Sequence, residues 1–277
     1  MVKFYLCTIF VGILLWACSE NEKRPVSPIT EETDSLEQGK DTLTLFEEEV
    51  LPESVDELFD DFFFNFTSDR KMQNARIVFP LKLHNGNEVI TLSRDDWNRY
   101  NRFTTQEYYT VIYEREQEME LQKDTSVNAV SIEWIYLKDD YIEKFKFRRI
   151  EGKWMLTDIE NEIMSQTPNG NFLSFYTLFA NDSIDFHKVV NQPLKFITPS
   201  EDESDEITEE YLSFSEWLEM KEELPLPKDI LVNIDYGQSA ISQNRKVLLM
   251  EELSSGIYIK FKFDKKGGQW RLIEIEN

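Results

Sequence analysis

One stretch of this chain is written twice, and that duplication limits the possible folds more than any other feature. Tyr141–Asn161, YIEKFKFRRIEGKWMLTDIEN, returns without a gap at an offset of 116 as Ile257–Asn277, IYIKFKFDKKGGQWRLIEIEN. Gly152 meets Gly268, Trp154 meets Trp270, and Ile159-Glu160-Asn161 meets Ile275-Glu276-Asn277. A second match lies upstream. Phe59, Phe62, Phe63 and Phe66 are spaced i, i+3, i+4, i+7, the apolar stripe of a helix, and recur at an offset of 113 as Phe172, Phe175, Tyr176 and Phe179. Pro80-Leu81-Lys82 matches Pro193-Leu194-Lys195 in the same register.

Within each copy the order is helices first and strands after. Thr67-Ser68-Asp69 and Ala180-Asn181-Asp182 read as a stop followed by a new cap, with short second helices over Asp69–Ile77 and Asp182–Val190. Asn85-Gly86 marks a hairpin between Leu81–Leu83 and Glu88–Leu92. Ser93 with Asp96, and Ser213 with Glu216, have capping-box spacing, which places Trp97 and Trp217 on short helices. Copy one then predicts strands over Tyr108–Glu118, Val130–Lys138, Tyr141–Arg149 and Lys153–Asn161. Copy two predicts Ile230–Tyr236, Lys246–Leu253, Ile257–Phe263 and Gln269–Glu276.

Helices followed by an antiparallel meander make an α+β class. A curved sheet around an N-terminal helix, ending in a G-x-W-x-L-x-x-I strand, resembles the nuclear transport factor 2-like fold. Together with the N-terminal signal described below, the pattern resembles a domain-of-unknown-function family of Bacteroides-type lipoproteins. The resemblance implies two tandem cone domains, over 52–164 and 165–277, each with N-terminal helices packed on a curved antiparallel sheet. Enzymes on that fold resemble ketosteroid isomerase, scytalone dehydratase and polyketide cyclases, which place an Asp, a His or a Tyr–Asp pair inside the cone.

The first 17 residues carry one base, Lys3, and no acid. The apolar run Phe4–Trp16 is too short to span a bilayer and suits a signal-peptide core. It ends Leu15-Trp16-Ala17-Cys18, which resembles the bacterial lipoprotein signal, with Cys18 as the residue that receives lipid. Ser19–Val50 carries ten acidic against three basic residues, with Pro25 and Pro28. Such a segment has too little apolar surface to fold alone, so 18–51 reads as an acidic tether. Glu20 and Glu22 resemble a surface-export tag. Asp34-Ser35-Leu36, Asp41-Thr42-Leu43 and Asp182-Ser183-Ile184 resemble O-glycosylation acceptors of the same bacteria.

A net charge of −23 argues against nucleic acid, which needs a basic surface. The two cysteines, Cys7 and Cys18, both lie in the first eighteen residues, so a disulfide, a thiolate metal site and a cysteine nucleophile are not expected in the folded part. Two histidines, His84 and His187, leave little for zinc, and no phosphate or dinucleotide loop appears. Seven carboxylates in Ser200–Glu210 lack the glycine-punctuated alternation of a calcium loop and read as a solvated insertion. No metal and no cofactor is expected.

The expected function is a non-catalytic module on the envelope, most directly at the outer membrane, that binds a small ligand or an envelope protein. Its membrane contact would be the lipid anchor alone. The alternative is an isomerase, dehydratase or hydrolase working in one cone. Duplication preserves what both copies need, so a single site should appear as a difference between them. On Val130–Lys138 the residues Val130, Ile132, Trp134 and Tyr136 share one face and Glu133 lies on the other. Copy two has no such aromatic pair. Tyr109, Trp134 and Tyr136 are therefore the candidate ligand pocket.

Overall fold

The computed structural model describes residues 53–100, 103, 106–199, 207–238, 244–252 and 258–277. The signal, Cys18, the tether, its two acceptor-like triplets and the acidic run 200–206 lie outside the described residues.

The phenylalanine stripes form helices α1 (Phe59–Ser68) and α4 (Gly170–Ala180), and every stripe residue is buried. The short second helices are α2 (Arg70–Ala75) and α5 (Phe186–Val189). Asp69 caps α2, its carboxylate accepting from the Lys71 backbone N–H at 2.7 Å. The two tryptophan helices are α3 (Arg94–Tyr100) and α6 (Phe214–Glu223). At the start of α6 the Ser213 N–H donates to Glu216 Oε2 at 2.8 Å and the Glu216 N–H returns to Ser213 Oγ at 3.4 Å, the reciprocal pairing of a capping box.

The strands are β1 (Ile77–Asn85), β2 (Glu88–Leu92), β3 (Tyr109–Tyr113), β4 (Ala129–Tyr136), β5 (Tyr141–Ile150) and β6 (Lys153–Ile163) in the first half. The second half supplies β7 (Val190–Pro199), β8 (Ile207–Leu212), β9 (Ile230–Asp235), β10 (Arg245–Glu251), β11 (Tyr258–Lys266) and β12 (Gln269–Glu276). The strand expected over Tyr108–Glu118 stops at Tyr113, because Glu116–Lys123 forms a 3₁₀ segment tied back by Glu118 accepting from the Glu114 N–H at 3.0 Å. The insertion in copy two becomes strand β8 from Ile207 onward. Gly152 and Gly268 have φ of +81° and +84° in the two closing hairpins, the backbone that such turns require.

All twelve strands join in one sheet, ordered β2-β1-β6-β5-β4-β9-β3-β10-β11-β12-β7-β8. The sheet is curved and unclosed, with β2 and β8 as its edges. The sequence match makes β4 the equivalent of β10 and β3 the equivalent of β9. Yet β9 pairs antiparallel with β4, and β3 pairs antiparallel with β10. The two halves have exchanged their third strands. Glu133 lies opposite Asn233, and the equivalent Leu249 lies opposite Val111. The exchanged strands meet each other in parallel at one ladder position, Thr110 with Asn233.

Two hydrophobic cores result. One gathers around α1, the other around α4. The division expected at 164/165 falls inside the 3₁₀ turn Met164–Gln166 and does not separate the cores. Val232 and Ile234 of β9 and Tyr236 just beyond it fill the α1 core, while Ile112 of β3 and Ile135 and Leu137 from β4 and just beyond it fill the α4 core. Strands at the seam are buried on both faces, one against each core. Trp154 and Trp270 occupy matching places, each edge-on to the first ring of its helix, Phe59 at 5.1 Å and Phe172 at 5.4 Å.

Candidate functional site

The aromatic face of β4 belongs to the α1 core. Val130 and Ile132 are buried there and Trp134 packs against it. Phe103 fills the space beside them, 4.6 Å from the Phe145 ring and 6.5 Å from Trp134. Tyr109 is buried in the same core, 5.5 Å from Phe63, and its hydroxyl accepts from the Gln106 N–H at 3.1 Å. Tyr136 lies at the end of β4 against the Tyr141 ring, 5.6 Å away. Tyr109 and Trp134 thus share a core with many other rings, and Tyr136 stands apart at the strand end.

The cleft that opens on β4 lies on its other face. It has a volume of about 250 Å³, lined on its polar side by Glu133, Lys144, Glu162, Asn233 and Asp235. Strand alternation directs Glu133 away from Trp134, and the exchanged β9 brings Asn233 and Asp235 alongside. Lys144, one strand over on β5, donates to Glu133 Oε1 at 2.8 Å and to Asp235 Oδ2 at 3.0 Å. Asn233 donates to Glu133 Oε2 at 2.9 Å and accepts the Ile112 N–H of β3 at 3.1 Å. One asparagine therefore ties β4, β9 and β3 together where the backbone ladder is thinnest. Gln238 extends the stitching, donating to the carbonyls of Ile112 at 3.0 Å and Ile234 at 3.2 Å.

Burial alone would lower the Lys144 ammonium, but the facing Glu133 and Asp235 carboxylates outweigh it and hold the ammonium charged. Burial pushes the Glu133 carboxyl up, with Lys144 pulling the other way. The two directions are compatible, because Lys144 faces two carboxylates whereas Glu133 shares one ammonium and sits near the Asp235 charge.

The duplication supplies an internal control. Where this half has Glu133, Asn233 and Asp235, the other has Leu249, Val111 and Tyr113, all buried in the α1 core. Those three positions are buried aliphatic or aromatic residues in one copy and polar cleft-lining residues in the other, while Lys144's counterpart Lys260 stays buried and paired with Glu276. Sequence reasoning looked for an aromatic difference and set Glu133 aside. The signal was present in the alignment as Glu133 opposite Leu249, but Asn233 and Asp235 join it only through the strand exchange.

A second polar feature lies on the aromatic side. Glu143 is the ladder partner of Trp134 and of Asn161, and its counterpart in the other half is Ile259. Burial pushes its carboxyl up to about 7. Asp60 on α1, bonded by the Tyr236 hydroxyl, is pushed up to about 6, again chiefly by burial. The histidines are apart from both features. His84 Nε2 lies 3.4 Å from Asp158, half-exposed, and His187 stacks on Phe214 at 3.8 Å. Among the described residues no group of His, Cys, Asp or Glu is arranged to hold a metal ion, and no helix is long and apolar enough to cross a membrane.

Comparison with solved structures gives the class. The chain is similar to an ntf2-like protein of Bacteroides fragilis NCTC 9343 known from its crystal structure, at 36% identity and a TM-score of 0.75, covering 82% of this chain and 98% of that one. The fold is accordingly nuclear transport factor 2-like. The chain belongs to the family described as domain of unknown function DUF4348, whose model matches residues 39–277. No curated protein matches it.

Proposed function

We propose that the protein is a lipid-anchored component of the bacterial cell envelope that binds a small ligand or partner without transforming it. Cys18 is its lipidated first residue at the outer membrane, and 18–51 spaces the folded part from lipid. The folded part is a fused pair of nuclear transport factor 2-like units, each of which completes its sheet with the other's third strand. The observation that carries the binding reading is the unequal duplicate. Buried charges cost stability relative to apolar packing, and the equivalent positions in the other half are buried Leu249, Val111 and Tyr113, which supports a ligand for the polar cleft beyond the strand stitching that Asn233 supplies. Leu15-Trp16-Ala17-Cys18 supports the anchor.

Thermal-shift screening of a small-ligand library on the full chain tests the binding reading. Hits abolished by Pro168→Trp at the cleft rim support it, and a library whose hits all survive that change contradicts it. For the anchor, Cys18→Ser is expected to release the protein from the membrane fraction; a variant that still pellets like the parent refutes it.

One observation favours a second reading, an isomerase, dehydratase or hydrolase working in one cone. Glu143 has the proton affinity of a general acid–base near neutral pH and is unique to one half. A small-molecule turnover abolished by Glu143→Gln with the fold intact would support that reading over simple binding.

A further inference from the structure

We propose that the Glu133 cleft takes a small organic cation, a primary amine carrying an apolar body. The inference rests on the cleft being the binding site proposed above. Three carboxylates, Glu133, Glu162 and Asp235, and one ammonium, Lys144, line it. Lys144 is already held by Glu133 and Asp235, so its charge is spent within the wall. Among the described residues no cation pairs with Glu162 at the rim. Asn169, at the amino end of α4, has a buried Oδ1 with no hydrogen-bond partner and lines the same space. The open groups are thus acceptors beside an uncompensated negative charge. An ammonium group, three donors and no acceptor, satisfies both. An anion would meet like charge in a partly desolvated cleft, and a neutral ligand would leave the Glu162 carboxylate without a partner.

The opposite wall is apolar, formed by Ile112, Ile142 and Leu173. It calls for a hydrocarbon or aromatic body behind the ammonium. The volume, about 250 Å³, sits just below the ~300–1,000 Å³ of drug-sized pockets, which limits the body to a single ring or a short chain. At the equivalent place in the other half, Leu249, Val111 and Tyr113 offer no carboxylate, and the neighbouring Glu276 and Glu116 are paired with Lys260 and Lys262, so one cation per chain is expected.

Isothermal titration of the full chain in detergent, at about 0.15 M salt to screen long-range charge, tests this with benzylamine, benzyl alcohol and benzoate. Benzylamine is expected to bind roughly tenfold or more tighter than the alcohol, the value of one charge-assisted hydrogen bond, with stoichiometry near one, and benzoate is expected not to bind. Glu162→Gln should erase the preference for the amine, Pro168→Trp should abolish binding, and Glu209→Gln, a carboxylate on the edge strand β8, should change nothing. If the alcohol or benzoate binds as well as the amine and Pro168→Trp abolishes that binding, the cation class is wrong and the cleft stands as the site. If benzylamine binds unchanged in both cleft variants, the site lies elsewhere and the cleft reading falls with it. If no probe binds, the cation class is overturned.

Discussion

Replacing Asn233 by valine, the residue at the equivalent place in β3, is the sharpest test of how the seam is held. The side chain is 1% exposed. It satisfies the Ile112 N–H and one oxygen of Glu133, at 3.1 and 2.9 Å. Valine removes both partners and leaves two buried polar groups unmet, each costing ~1–3 kcal/mol. The added apolar burial returns about 1 kcal/mol. A net loss of about 1–5 kcal/mol is expected from urea unfolding followed by tryptophan fluorescence, with the denaturant slope unchanged. Adding Glu133→Leu reproduces the Leu249–Val111 pair of the other half, so the double variant should lose less than the sum of the two singles. A loss below about 1 kcal/mol for Asn233→Val, or strict additivity in the double, would refute the view that this network stitches the exchanged strands.

Trp154→Ala and Trp270→Ala should each cost ~3–5 kcal/mol, since both rings are buried against the first phenylalanine of their helices; a large difference between the two would contradict their structural equivalence. Glu143 and Asp60 have folded-state affinities for protons above their ordinary range, at about 7 and about 6. Each therefore holds its proton in the folded chain while the unfolded chain releases it. Their contribution is complete below about pH 4 and is lost as pH rises toward 7, so stability should fall across that window. Glu143→Gln should flatten the upper part of the fall, and an unchanged profile in that variant would show that Glu143 is not buried as an acid.

Most elements were legible because both copies carry the same periodicities. The stripes of α1 and α4, the capping boxes and the closing hairpins all depend on local spacing, and local spacing survives in sequence. The strand exchange was not legible for a specific reason. β3 and β9 present the same antiparallel register to β4 and β10 whichever way they are dealt, so hydrophobic alternation is equally satisfied by both arrangements. Only pairs across the exchange distinguish them, such as Asn233 with Glu133, and Lys246 with Glu114 at 2.9 Å, and those pairs are distant in sequence. The Trp134 and Glu133 faces of β4 were read correctly as opposite. Which face carries a cleft depended on β9, which a strand-by-strand reading assigns to the other half.

Everything proposed for the cleft depends on that exchange, since Asn233 and Asp235 reach Glu133 and Lys144 only if β9 lies on β4. The most direct measurement is oxidative cross-linking of paired cysteines in a chain whose Cys7 and Cys18 are serine, read by mass spectrometry of disulfide-linked peptides. Val111 and Leu249 are ladder partners across β3 and β10, so Val111→Cys with Leu249→Cys should cross-link. Val111→Cys with Glu133→Cys, neighbours only if β3 lay on β4, should not. The reverse result would dissolve the seam and the cleft with it.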